Sequence, residues 1–186
     1  MDGNLAIIYL SILVGLLSIA VISIFRQIFK TRRLESTMSR LRKKLSKDKG
    51  TVQEYYELAS IYSEKKLFSQ AIPLFQKAIK AFEEESEEGE AGDGSEEGEE
   101  SLAYVYNGLG YAYFAQEQYD LAIRQYKEAL KFKPDYVVAL NNLGHAYERK
   151  KLNTQALQTY EDALKIQPNN TTAKRRSDSL RRLVSA

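Results

Sequence analysis

A 34-residue period in the second half of the chain restricts its architecture more than any other feature. Residues 103–136, AYVYNGLGYAYFAQEQYDLAIRQYKEALKFKPDY, are followed directly by residues 137–170, VVALNNLGHAYERKKLNTQALQTYEDALKIQPNN. At that offset Leu109 falls on Leu143, Gly110 on Gly144, Tyr113 on Tyr147 and Ala122 on Ala156. Tyr126 then falls on Tyr160, Ala129 on Ala163 and Pro134 on Pro168. Each copy reads as two antiparallel helices joined by a short turn. The small residues let the helices approach closely, the Tyr and Leu side chains fill the space between them, and the proline, lacking an N–H, ends the second helix. A single hairpin of this kind cannot bury its apolar face, but stacked copies bury a continuous one.

This period and residue pattern is that of the tetratricopeptide repeat (TPR). A more degenerate copy lies at 52–85, carried by Tyr55, Leu58, Ala59, Tyr62, Ala71, Phe75 and Ala78, with Glu83 where the closing proline falls in the others. Its Pro73 is expected near the start of the second helix, where the first turn tolerates a missing donor. Residues 171–186, TTAKRRSDSLRRLVSA, read as a polar capping helix with Leu180 and Leu183 on its inner side. The repeats are thus expected at 52–85, 103–136 and 137–170, with the cap after them.

The N-terminus is of a different kind. After a short tail, residues 1–4, the run Leu5–Phe25 contains no charge. Twenty-one residues at about 1.5 Å each span roughly 30 Å, the thickness of a bilayer's hydrocarbon core. A cleaved signal peptide fits less well, because the start carries Asp2 and no basic residue and the apolar run is too long. Arg26, Lys30, Arg32 and Arg33 follow the run, so the positive-inside rule directs the N-terminus across the membrane and the rest to the cytoplasmic or stromal side.

The net charge of +2 conceals blocks. Residues 26–51 form a basic neck; Leu34, Met38, Leu41 and Leu45 give it a helical apolar stripe, suited to packing on the first repeat or to a short coiled coil. Its cations suit anionic lipid better than nucleic acid, since no aromatics are interleaved among them. Residues 83–100 hold eleven acids and no base. The stretch 86–102, inserted between the first two repeats, has too little apolar content to repay ordering and is expected to be flexible. No spacing within it resembles a calcium loop.

No catalytic constellation is legible. Cysteine is absent, which excludes thiol chemistry, and His145 is a lone histidine, where a metal site needs several donors. No phosphate-cradling glycine loop or nucleophile elbow occurs. No enzyme activity and no cofactor are expected. In a TPR array the first helix of each pair lines the concave face. Positions a turn apart and not used by the core are Tyr104, Asn107, Tyr111 and Phe114 in the second repeat, and Val138, Asn141, His145 and Arg149 in the third. The first repeat offers Gln53, Tyr56, Ser60 and Ser63. Of these, Tyr104, Asn107, Tyr111, Phe114, Asn141, His145 and Arg149 are the expected partner-binding residues: rings give rigid contact area and carboxamides bond an extended backbone. The Lys, Arg and Asn set by which chaperone-docking TPR proteins clamp a terminal carboxylate is largely replaced here by Tyr, Ser, Gly and Val.

The anchor, the neck FRQIFKTRR (Phe25–Arg33), EYYELASIY (Glu54–Tyr62) and LGYAYFAQEQYDLAIRQYKEALKFKPDY (Leu109–Tyr136) together resemble the small membrane-anchored TPR proteins of cyanobacteria and plastids that assist photosystem I assembly. That resemblance implies a scaffold in the thylakoid membrane with a lumenal N-terminus. It implies photosystem I subunits or assembly intermediates as partners, no cofactor and no reaction. The runner-up is a general membrane-bound adaptor or receptor for chaperones or imported proteins.

Overall fold

A computed structural model describes residues 2–87 and 96–184, side chains included for 7–86 and 97–184. The described residues form eight helices and no strand, in two compact units, Met1–Lys47 and Asp48–Ala186.

The first unit is one helix, α1 (Asp2–Leu45), of 44 residues. It runs unbroken from the apolar stretch through the basic one, because neither contains a proline and its one interior glycine, Gly15, lies on an open surface. Ser11 and Ser18 return their hydroxyls to the carbonyls of Ile7 and Val14, both at 2.8 Å, so neither leaves a polar group unpaired on an apolar surface. Among the described residues α1 is the one helix long and apolar enough to cross a membrane.

The second unit is a stack of helix pairs: α2 (Val52–Glu64) with α3 (Phe68–Glu87), α4 (Glu96–Ala115) with α5 (Tyr119–Phe132), and α6 (Val137–Arg149) with α7 (Asn153–Ile166). α8 (Thr171–Val184) packs on α7, and each pair touches the next. The start of α2 is fixed reciprocally: Thr51 Oγ1 accepts the Glu54 amide, and the Glu54 carboxylate accepts the Thr51 amide. Each pair turns through a left-handed, non-glycine residue at the same place in the repeat, Lys66, Glu117 and Lys151, with φ of 59°, 60° and 59°. The amide after each reaches back five residues, Leu67 to Tyr62, Gln118 to Tyr113 and Leu152 to Tyr147, satisfying a helix-end carbonyl.

The core repeats as well. Ala71, Ala122 and Ala156, and Ala78, Ala129 and Ala163, are wholly buried, and beside them lie Phe75, Tyr126 and Tyr160, the largest fully buried side chains. A β-carbon on Gly110 would lie 2.7 Å from the Tyr126 ring, and one on Gly144 2.8 Å from Tyr160, so the helix pairs close only because these residues lack one. Gly108 plays the same part between repeats: its β-carbon would lie 2.6 Å from the Phe75 ring of the preceding pair.

Three expectations are corrected. The stretch expected to be flexible, 86–102, is helical at both margins: α3 continues to Glu87 and α4 begins at Glu96. Burial of Leu102 and Val105 and the ion pair of Glu100 with Lys133 order the second margin, while residues 88–95 lie outside the described residues. On the cap, Leu180 is 3% exposed but Leu183 is 62% exposed; the inner stripe is Ala173, Ser177 and Leu180, because Ser177 returns its hydroxyl to the Lys174 carbonyl and so can be buried. Pro73 is the sixth residue of α3 rather than part of its first turn, so it costs that helix one backbone hydrogen bond.

Candidate functional site

The first helices of the pairs, α2, α4 and α6, are neighbours in the stack. The residues expected along them fall into three groups. At one end of α4, Tyr104 meets Tyr136 edge-on at 5.2 Å, and its hydroxyl donates to Glu100. Lys133 reaches the same Glu100 oxygen and stands 5.5 Å over the Tyr104 ring. The paired cation and the phenol hold the Glu100 carboxyl below the usual carboxylate range, and Glu100 in turn raises the pKa of Lys133 and Tyr104.

In the middle, Asn107 Nδ2 donates to the Tyr136 hydroxyl at 3.3 Å, and its oxygen accepts from Asn142 Nδ2 at 3.0 Å. This short chain joins α4 to α6. Burial pushes the Tyr136 phenol up to about 12, so it remains a neutral hydrogen-bonding group at any physiological pH. Asn141, the neighbour that the sequence selected, has a buried side-chain oxygen without a hydrogen-bond partner; Ser63, on α2, has a hydroxyl in the same condition. Tyr111 is 47% exposed and touches Phe68 edge-on at 5.9 Å.

At the other end, Phe114 lies 4.8 Å from the His145 ring and 5.3 Å from Tyr119. Arg149 donates to the Tyr119 hydroxyl at 2.6 Å, stands 5.2 Å over its ring and approaches Glu117 at 3.7 Å. It is therefore tied to the turn of the second repeat. Burial, with Arg176 and Arg149 nearby, pushes the His145 imidazole below its ordinary value, although Glu148 opposes this.

Tyr104, Asn107, Tyr111 and Phe114 thus fall on one face of α4; Phe114 meets His145 directly and is linked to Arg149 through Tyr119. Sequence reasoning did not single out Glu100, Lys133, Tyr136, Asn142 or Tyr119. Tyr136 precedes α6 and Tyr119 opens α5, a second helix of its pair, so a search along the faces of the first helices does not reach them, and Glu100 belongs to the stretch read as flexible. No group of three or more carboxylates and histidines suited to a metal occurs among the described residues.

Comparisons with known proteins agree with this architecture. Three tetratricopeptide repeat models match residues 55–85, 110–151 and 137–170. The ycf37 protein of Cyanophora paradoxa is 42% identical over 140 residues, covering 75% of this chain and 73% of that protein. The ycf37 protein of Pyropia yezoensis is 35% identical over 174 residues, covering 94% and 93%. A tetratricopeptide repeat domain-containing protein of Arabidopsis thaliana, PYG7, chloroplastic, is 33% identical over 70% of this chain and 39% of its own length. Among solved structures, the first TPR domain of Spaghetti (RPAP3), bound to an HSP90 peptide, superposes with a TM-score of 0.61 at 17% identity, covering 75% of this chain and 97% of that one. The Arabidopsis OM64 TPR domain gives 0.58 at 21% identity, covering 70% and 94%.

The helix pairs and the matched repeats define a tetratricopeptide repeat protein, a class of protein-interaction scaffold. Within that class, the chain belongs to the ycf37 family of plastid TPR proteins.

Proposed function

We propose that the face of α2, α4 and α6 takes an extended segment of a photosystem I subunit or assembly intermediate. In this reading α1 anchors the chain in a thylakoid membrane, with the N-terminus in the lumen and the repeats on the stromal or cytoplasmic side. The scaffold aids photosystem I assembly or stability and carries out no reaction. The observation that carries the binding reading is the exposure of Tyr111 and Val138, 47% and 53% exposed at positions that the repeat register assigns to this face. They offer apolar contact area to a bound segment, rigid in the case of the Tyr111 ring. The assembly reading is supported by relatives carrying plastid names and by the apolar helix α1.

The test is affinity capture on the full chain from detergent-solubilised thylakoid membranes. Enrichment of photosystem I polypeptides by the wild type, reduced several-fold by Tyr111→Ala, is the expected result. Capture of chaperones or import components in their place would move the protein to the general-adaptor reading. His145→Ala is expected to weaken capture less than Tyr111→Ala, since the imidazole packs against Phe114 whereas the Tyr111 ring is half exposed.

A further inference from the structure

Glu100 has an unusual position for a residue of a TPR helix. The repeat proper begins at Ala103, whereas α4 starts at Glu96, so Glu100 lies on an overhang contributed by the acidic insert. Its carboxylate is held by two donors that both belong to the second repeat, the Lys133 ammonium and the Tyr104 hydroxyl, acting on one oxygen. The donors are themselves positioned. Lys133 is confined over the Tyr104 ring, with its side chain 28% exposed, and Tyr104 is braced edge-on by Tyr136, which also holds Asn107 of the candidate binding face. The repeat scaffold does not demand this corner. At the equivalent register the third repeat has Val138, Gln167 and Asn170 for Tyr104, Lys133 and Tyr136, and the first has Gln53 and Phe82 for the first two. A cation and a phenol converging on one oxygen make a charge-assisted receptor for a carboxylate.

We propose that the Tyr104–Lys133 corner is a carboxylate-binding subsite for an Asp or Glu side chain of a partner polypeptide, and that Glu100 occupies it as a built-in competitor until the partner displaces it. This rests on the reading that a protein segment binds along α4. It gives the acidic insert a regulatory part: a carboxylate on the same helix as Tyr104 competes at high effective concentration, so only a partner with further contacts along the face wins the corner. The expected partner segment is therefore acidic where it passes Tyr104 and apolar or amide-bonding where it passes Tyr111 and Asn107.

The test uses the full chain in detergent micelles at low salt and a fluorescein-labelled acidic peptide, SEEGEES, matching residues 95–101. Anisotropy titration is expected to show weak binding to wild type and at least fivefold tighter binding to Glu100→Gln, in which the competitor has lost its charge. Lys133→Met in the Glu100→Gln background should remove that gain. Glu97→Gln makes the same change in net charge at an exposed position on the overhang and should leave binding at the wild-type level. Equal gains from Glu97→Gln and Glu100→Gln would reduce the effect to bulk charge and overturn the proposal, as would a gain that survives Lys133→Met. Circular dichroism of each variant verifies the fold. Because the probe is a synthetic peptide, the outcome does not depend on whether photosystem I supplies the natural partner.

Discussion

The second and third repeats are built on one core and present two different faces. In both, a glycine of the first helix admits a buried tyrosine of the second, Gly110 with Tyr126 and Gly144 with Tyr160, and four alanines in each are wholly buried. Outward, the second repeat shows Tyr104, Tyr111 and Phe114, where the third shows Val138, His145 and Glu148. Even the shared tyrosines differ at their tips. Tyr160 donates to Glu148 at 2.7 Å, and Glu148 also accepts from Arg176 at 3.3 Å. Burial raises the pKa of both phenols, but only that of Tyr160 is also raised by a bonded carboxylate. The period dictates what lies between helices; what lies outside them is free to specialise. The stack therefore presents rings on one repeat and a mixed, ring-poor surface on the next.

Overfilling the shared core should have the largest effect. Gly144→Val and Gly110→Val each force a tyrosine ring to move, and each is expected to cost about 1–3 kcal/mol, read as a fall in melting temperature by circular dichroism. If one is harmless, the two cores are not equivalent. Truncating the faces should separate next: Phe114→Ala, packed between His145 and Tyr119, should lose about 1–2 kcal/mol, while exposed Tyr111→Ala stays within about 0.5 kcal/mol of wild type. A large destabilisation by Tyr111→Ala would place that ring in the core and remove it from any binding face. Third, Tyr160→Phe should cost about 1 kcal/mol for its bond to a carboxylate, and Tyr126→Phe distinctly less; denaturant titration of the pair gives the difference directly.

The smallest effect concerns pH. His145 is held below its unfolded pKa, so the unfolded chain takes up the proton first, and stability present above the unfolded value of about 6.5 declines as pH falls through it toward the folded value. His145→Gln should flatten that part of the melting-temperature profile. An unchanged profile would show that other groups control it.

The sequence carried the architecture because the period is a statement about packing: residues 34 apart perform the same task, so the helix pairs and their buried alanines could be placed before any coordinates. Contacts that occur once were not legible in this way. Gly108 faces Phe75 of the previous repeat, yet its equivalents are Asn142 and Glu57, so no repetition marks it. Composition misled at the insert, where burial of Leu102 and Val105 and the pairing of Glu100 extend a helix into an acidic stretch. On the cap, Leu183 had the apolar character of a core residue but not the register, and small, self-bonded Ser177 takes the inner place instead. Along α4 and α6 the sequence did not reveal the bonds within the expected face: it chose Asn141, while Asn142 is the residue that reaches Asn107.

Stacked-hairpin proteins come apart from their ends, where each hairpin has a neighbour on one side only. Glu148 works against such fraying, because its two oxygens hold α7 and α8 to α6 at once, and Arg181 adds a second strap from α8 to Glu161 at 2.9 Å. Peeling the final helix away would strip Glu148 of its cation while leaving the phenol of Tyr160 in place. The C-terminal edge of the stack is in this way joined to the repeat it protects, and the two should open and close as one cooperative block.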